Sequence, residues 1–375
     1  MLKIRIARKI AELSVDEWNK VFPDVAESYY FFKSIDESEF EQFSFYYILV
    51  YREDSLVGAT PCFLMQYSFD TTLEGFPKAL ARIIKKIFPK IFDARIIICG
   101  SPACEGRIGV VGDDKASVIN AFVCAMQQIA KEEKASILAF KDITCDYALI
   151  VDNLLQNGFH KVEGYPAVEM DIDFKSFDEY LMKLSHVTRK GLRRKFRKVD
   201  KIVKLDLEVK NSLEESLNEA YGLYLQTLAK SEIKFEKIPK DFFINVSKNM
   251  PNETKYFLWR INKKLVAFEL LFLKDATLVD EYVGFDYSVA YEYSLFYTTF
   301  RDIINWCIEN GVKKYESGQL VYGPKKRLDF RFAPLYIYVK HTNKFKNSLL
   351  RILSDLLKPE NFDEILRNMK KEGKL

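Results

Sequence analysis

Histidine is scarce in this 375-residue chain, which has three in all. The six cysteines (Cys62, Cys99, Cys104, Cys124, Cys145 and Cys307) are scattered without a C-x-x-C pair. That pattern argues against a metal site or a disulfide framework and predicts buried free thiols. An excess of either charge is also missing. Lysine and arginine number 57 against 53 acidic residues, a formal balance of +4, so any attraction for an anionic partner has to be local. No uncharged apolar run approaches the roughly 20 residues of a membrane helix. The opening MLKIRIARKIAEL lacks an apolar core followed by a small-residue cleavage site, so a cytoplasmic protein without a transmembrane segment is expected.

What the chain does have is apolar and aromatic mass, 48% hydrophobic with 30 Phe and 21 Tyr, enough for a well-packed globular protein. The length favours about two domains. Charge is concentrated in one place: Ser185 to Lys204, SHVTRKGLRRKFRKVDKIVK, holds nine lysines and arginines. On a helical period Leu192, Phe196, Val199 and Val203 make an apolar stripe, with Arg189, Arg193 and Arg197 in a cationic stripe beside it. One face can bury while the other stays solvated or meets an anion.

The two halves repeat an order of parts. Tyr47 to Leu64 can be laid without gaps on Tyr256 to Leu273, each an apolar strand, a polar turn (Glu53-Asp54 or Asn262-Lys263) and a second strand. A helix and a buried strand follow each hairpin: Val118 to Glu133 then Ser136 to Phe140, and Ser294 to Asn310 then Lys313 to Glu316. Asn310-Gly311 and Asn157-Gly158 supply helix stops. The first half carries an insertion from about Phe69 to Lys115 containing the basic amphipathic PKALARIIKKIFPKIF, read as a helix on its own domain or a membrane-surface or substrate-covering element. The second half has an extra helix before its hairpin, with Leu217, Tyr221, Leu225 and Leu228 in a stripe and a capping box from Ser212 to Glu215. Beyond about Thr342 short amphipathic helices split by Pro359 end in a charged tail expected to fray.

The segment Asn157 to Lys198 and the stretch Trp259 to His341 resemble FemAB-like N-acyltransferases of the GNAT superfamily. WRINKKLVAFELLF looks like the family's central hairpin. YESGQLVYGPKKRLDFRFAPLYIYVKH resembles its closing pattern, with Glu316, Gly318, Gln319, Lys325, Arg327, Phe332, Pro334 and His341 in the matching places. The likeness covers the second half well; the first half is carried only by the internal repeat. It implies an α/β protein of tandem GNAT-like domains, with mixed, mainly antiparallel sheets and flanking helices. The domains are expected at residues 1–165 and 166–345, with a helical tail at 346–375. It also implies transfer of an acyl or aminoacyl group from acyl-CoA or aminoacyl-tRNA, as donor substrate, to an amine on a small molecule or a cell-envelope precursor, with no permanently bound cofactor and no metal. Peripheral membrane contact is compatible with that role. Gly284 to Ser294, GFDYSVAYEYS, departs from ordinary acyl-CoA enzymes in lacking the glycine-rich turn that cradles a pyrophosphate.

Direct acyl transfer needs a neutral amine, a polarised carbonyl and alignment, with a carboxylate or imidazole to take the proton. The residues assigned catalytic roles are Glu281, Lys325 and His341, with Arg189, Arg193, Arg197 and Arg327 toward donor phosphates. Glu269, Tyr282, Glu292, Glu316 and Gln319 are assigned to a substrate cleft. Lys325 follows a Tyr322-Gly323-Pro324 turn and, as a loop cation, is expected to contribute little to folding. Glu269 interrupts an apolar strand and either alternates outward or lines the cleft. A non-catalytic GNAT-fold module, binding nucleic acid or anionic membrane through the basic helix 189–204, is the alternative.

Overall fold

The computed structural model describes residues 1–23, 28–68, 93–103, 106–231, 235–356 and 358–374, without the side chains of 68, 93, 353, 355 and 356. Most of the Phe69–Lys115 insertion, including PKALARIIKKIFPKIF, therefore lies outside the described residues, as does Cys104. Two compact units emerge. The first comprises Met1–Pro23, Phe40–Pro166 and Pro334–Leu375, the second Asp24–Glu39 and Ala167–Ala333.

The first unit is built on a mixed sheet. Its strands are β1 (Leu2–Ala7), β2 (Phe43–Arg52), β3 (Ser55–Ser68), β4 (Asp93–Cys99), β5 (Gly109–Val110), β6 (Ile137–Thr144), β7 (His160–Glu163) and, from the end of the chain, β15 (Leu335–His341). Their order is β1-β2-β3-β4-β6-β15-β7, with β5 on the flank of β3. The helix Lys115–Glu132 buries Val118, Ile119, Phe122, Met126 and Ile129 against it in one core. The second unit repeats the plan. Its strands β8 (Ala167–Asp171), β9 (Asp206–Lys210), β10 (Thr254–Ile261), β11 (Lys264–Lys274), β12 (Thr277–Phe285), β13 (Lys314–Glu316) and β14 (Arg331–Ala333) run in the order β14-β8-β13-β12-β11-β10-β9. The parallel pairs are β4 with β6 and β12 with β13, the places where a helix crosses over.

The hairpins match to the residue. Each closes on a two-residue turn, Arg52 opposite Ser55 and Ile261 opposite Lys264, with Glu53, Asn262 and Lys263 at positive φ. Each also bulges at the equivalent step, between Val50 and Tyr51 and between Trp259 and Arg260. The sequential division at residue 165 differs from the observed one. β8 leaves the first half to pair with β13 and β14, whereas β15 leaves the second half to lie between β6 and β7. The helix Tyr29–Asp36 likewise belongs to the second unit, where Phe31 meets Phe242 and Phe272 edge-on and Asn245 and Asn249 hold Ser38 and Ser34.

Several local expectations shift. The insertion contributes two sheet strands, β4 and β5. In the helix Leu217–Lys230 the buried face is Ala220, Leu223 and Tyr224, while Leu225 is exposed. Glu215 turns to Lys210 instead of closing a capping box. The helix Glu364–Lys371 is docked rather than frayed, with Leu366 and Met369 buried and Lys370 paired with Glu163 and Glu360. Cys62, Cys99 and Cys307 are buried thiols, but Cys124 and Cys145 are exposed. Among the described residues no helix is long and apolar enough to cross a membrane, and no group of side chains could hold a metal ion.

Gly284 on β12 is set by packing. A Cβ there would lie 2.6 Å from the Tyr224 nitrogen and 2.7 Å from the Leu223 carbonyl carbon, backbone that cannot yield cheaply. Gly284→Ala should cost roughly 3 kcal/mol in denaturant unfolding; a loss below about 1 kcal/mol would mean that the helix lifts off the sheet freely.

Candidate active site

β12 and β13 pair only over Thr277–Val279 with Lys314–Glu316. Beyond that β13 ends, while β12 runs on to Phe285, so the sheet opens at Asp280. The cluster of interest gathers there. β11 places Glu269 and Leu271 on one face, and Leu271 stands opposite Asp280, which sets the two carboxylates on the same side of the sheet. Tyr315 of β13, opposite Leu278, shares that side and donates its hydroxyl to Asp280 Oδ2 at 3.3 Å. After β13 the backbone turns through Gly318 (φ 58°), Leu320 (φ 69°) and Val321 (φ 54°), two of them non-glycine residues in the left-handed region. That turn aims two carbonyls at one cation. Lys325, on the short helix Tyr322–Arg327, donates to Ser317 O and, at 3.4 Å, to Gln319 O.

The cation is buried, only 5% exposed, and Glu269 is 4% exposed. Burial pushes Lys325 down to about 8 against the opposing pull of Asp280 and Glu269. Burial pushes Asp280 up to about 6, restrained by Lys325 and by hydrogen bonds from Tyr315 and Ser317. Glu269 is raised well above the carboxylate range by burial and the neighbouring Asp280, and its Oε2 has no hydrogen-bond partner among the described residues. Near neutral pH the consistent state is therefore Glu269 protonated, Asp280 ionised and Lys325 charged, a site with no net charge.

The sequence-assigned residues divide. Lys325, Glu269 and the Gln319 carbonyl come together. Glu281 does not join them, because the bulge between Leu270 and Leu271 falls on it and gives its place in the alternation to Asp280. Tyr282 pairs with Leu270 on the opposite face, its ring against Tyr224, Phe242 and Phe243. Glu316 also faces away from Tyr315 and pairs with Lys314, which is shared with Glu169. Glu292 and Arg327 are exposed. His341 belongs to the sheet of the first unit, where Nδ1 accepts the Asn343 N–H at 2.9 Å; it is no member of this cluster. The basic helix forms over His186–Ile202 with Leu192, Phe196 and Val199 buried. Its expected cationic stripe is largely engaged: Arg189 caps the Met182 and Leu184 carbonyls, Arg193 pairs with Asp178, and Arg197 donates to the Arg193 carbonyl. Exposed Lys190, Arg194, Lys198 and Lys201 form a second stripe without acidic partners among the described residues. Asp280, Tyr315 and Thr299, a hydrogen-bond partner of Glu269, were not assigned roles from sequence.

The loop after β12 uses its own N–H groups. Val289 and Ala290 donate to Asp286 O, Tyr293 to Val289 O, Leu295 to Ala290 O, and Ser288 to the Asp286 carboxylate. Few are left to cradle a pyrophosphate. The hairpin repeat locates the counterparts in the first unit: Glu269 corresponds to Thr60, and Asp280, through Leu271, to Cys99, which pairs with Cys62. There Thr60 Oγ1 and Cys99 Sγ lie 2.7 Å apart, a neutral pair where the second unit carries two carboxylates.

Two mixed sheets with crossover helices, the second opened between two parallel strands over a buried ionisable cluster, define a tandem GNAT-fold protein. The chain belongs to the FemAB-like family, described as peptidoglycan biosynthesis/recognition, whose profile matches residues 9–369. Among solved structures it is similar to FemX (TM-score 0.57, 12% identity, 92% of this chain and 100% of that one). It is also similar to a tandem GNAT protein from the clavulanic acid biosynthesis pathway (TM-score 0.54, 10% identity, 92% and 99%). A third is the C-terminal domain of a protein designated lysylphosphatidylglycerol synthetase from Agrobacterium fabrum (TM-score 0.53, 14% identity, 93% and 98%). A curated relative designated 8-amino-7-oxononanoate synthase 2, from Mycobacterium tuberculosis, is 23% identical over 255 residues, 64% of this chain. The matched stretch is 32% of that relative, so the chain spans about a third of its length.

Burial of Lys325 corrects the expectation of a loop cation with little structural weight. Lys325→Ala should lower stability by about 3 kcal/mol at neutral pH, because it strands the Asp280 carboxylate. The pH dependence has a definite sign. Lys325 is depressed, so between about 8 and its ordinary value the unfolded chain binds more protons and parental stability rises with pH. Asp280 is raised, so its contribution falls as pH climbs through about 6. Denaturant melts at pH 8 and 10 should show the parent gaining on Lys325→Ala; a constant difference would place Lys325 in solvent.

Proposed function

We propose that the second unit transfers an acyl or aminoacyl group from an activated donor to an amine, at the Glu269–Asp280–Lys325 cluster. The supporting observation is the buried ammonium held by two backbone carbonyls beside an ionised carboxylate where the sheet opens. In the transfer a C–N bond forms, the donor's C–O or C–S bond breaks, and one proton passes from the amine to the leaving oxygen or sulfur. Two N–H bonds of Lys325 are fixed by Ser317 and Gln319. The third serves the oxyanion as charge develops on the carbonyl, already oriented and poorly solvated. Asp280, ionised above about 6, takes the amine proton and returns it to the leaving group. Protonated Glu269 keeps a second negative charge out of the site.

An aminoacyl-tRNA donor fits better than acyl-CoA, because the β12 loop has consumed its N–H groups while the Lys190–Arg194–Lys198–Lys201 stripe offers contacts for a phosphate backbone. The family's description supports an acceptor amine in the cell envelope. No cofactor is required by this chemistry. The cytoplasm is the compartment where such a donor is found.

Native mass spectrometry with acyl-CoAs and bulk aminoacyl-tRNA, followed by turnover with a panel of amines, tests the assignment. Asp280→Asn and Lys325→Ala should each lower kcat by about 100-fold or more in folded protein. The rate should follow a bell with limbs near 6 and 8, as Asp280 ionises and Lys325 loses its proton. A pH-independent rate would remove both groups from the chemistry. Retained acyl-CoA would overturn the donor assignment, and tight, salt-sensitive RNA binding without turnover of any amine would favour the binding module. Lys190→Glu with Arg194→Glu and Lys198→Glu should lower the salt slope of RNA binding by about 2, at roughly 0.7 per lost contact; an unchanged slope would leave that face merely solvated.

A further inference from the structure

The helix Lys344–Leu356 of the first unit carries an exposed apolar stripe. Among its described side chains Asn347 faces inward: it donates to Gly158 O at 2.9 Å, accepts the His341 N–H at 2.8 Å, and its backbone carbonyl lies 3.1 Å from His160 Nε2. Ser354, two turns on, is buried, and Leu350 between them is half-buried. The opposite face carries Phe345, Leu349 and Ile352 at a spacing of i, i+4 and i+7, and these are 83%, 50% and 63% exposed. An amphipathic helix ordinarily turns such a stripe inward. Here hydrogen bonds fix the rotation that turns it outward, so the exposure is built in.

Charge identifies the occupant. From Lys340 to Lys358 the sequence carries five lysines and arginines against one aspartate. Lys344 and Lys346 are exposed on either side of the apolar stripe, with no acidic partner among the described residues. A second copy of the helix laid on this face would oppose like charges across a two-fold axis. An anionic bilayer complements both parts, with ammonium groups at the phosphates and Phe345, Leu349 and Ile352 at the headgroup and acyl boundary.

We propose that this helix docks the protein on the surface of an anionic membrane, lying in the interface plane. The docking is independent of the chemistry at Lys325, so its test measures no turnover and its failure leaves the transfer reading untouched.

The whole protein is sedimented with phosphatidylcholine vesicles containing about one third phosphatidylglycerol, and with phosphatidylcholine alone. Binding is expected to the anionic vesicles and to weaken with salt. Phe345→Ser with Ile352→Ser should lower it by at least about tenfold, as two apolar anchors are lost. Lys344→Glu with Lys346→Glu should lower it to a similar extent. All four positions are exposed, so the melting temperatures should match the parent. A Phe345→Trp variant should blue-shift its added emission on anionic vesicles. The proposal is overturned if the serine variant binds like the parent, if neutral and anionic vesicles bind alike, or if the parent self-associates through this face and the serine variant abolishes that association.

Discussion

Lys325 is a cation carried into the protein interior, and most of the second unit's local architecture follows from keeping it there. A buried ammonium needs acceptors and a compensating charge. The acceptors are carbonyls of a turn forced through left-handed backbone, and the compensating charge is Asp280 at the first residue past the strand pairing. A third ionisable group, Glu269, can share that space only by staying protonated. The arrangement sacrifices stability in the pH range where both charges coexist, which is also the range in which it could move a proton and steady an oxyanion.

The two halves make a natural comparison of what such a site requires. Their hairpins agree in turn length and in the position of the bulge. In the first unit the equivalent positions are Thr60 and Cys99, which satisfy each other without charge. A neutral pair of that kind needs no buried cation. The scaffold thus repeats while the side chains do not, and the same strands carry a neutral pair in one unit and buried ionisable groups in the other.

Local signals in the chain were readable where local physics decides. Asn262-Lys263 and Glu53-Asp54 mark two-residue turns, and the apolar period of residues 192 to 199 fixes which face of the basic helix is buried. Features decided by long-range pairing left no such mark. β4 was hidden in what looked like an insertion, and the exchange of β8 and β15 cannot be inferred from strands that read alike in any sheet. Around Lys325 the alternation shifts by a single residue: a bulge at Glu281 puts Asp280, and not its neighbour, on the side of Glu269. His341 was placed with the wrong unit for the same reason, since its strand belongs to a sheet begun more than 300 residues earlier. The basic helix shows a different limit. Its arginines at 189, 193 and 197 are conspicuous in sequence, yet they are engaged by carbonyls and a carboxylate, and the stripe without acidic partners among the described residues lies one residue on.

The exchanged strands bear on how the chain is made. β15 sits between β6 and β7, so a nascent chain that has emerged only as far as the second unit has already synthesised the rest of the first unit's sheet but cannot close it. β6 must wait with a bare edge through the synthesis of more than 150 residues, a period in which an unpaired strand invites mispairing. In the second unit β8 waits in the same way, since its partners β13 and β14 are made more than 140 residues after it. Completion of the second unit and closure of the first are thereby ordered by translation itself, with the first-made half sealed last.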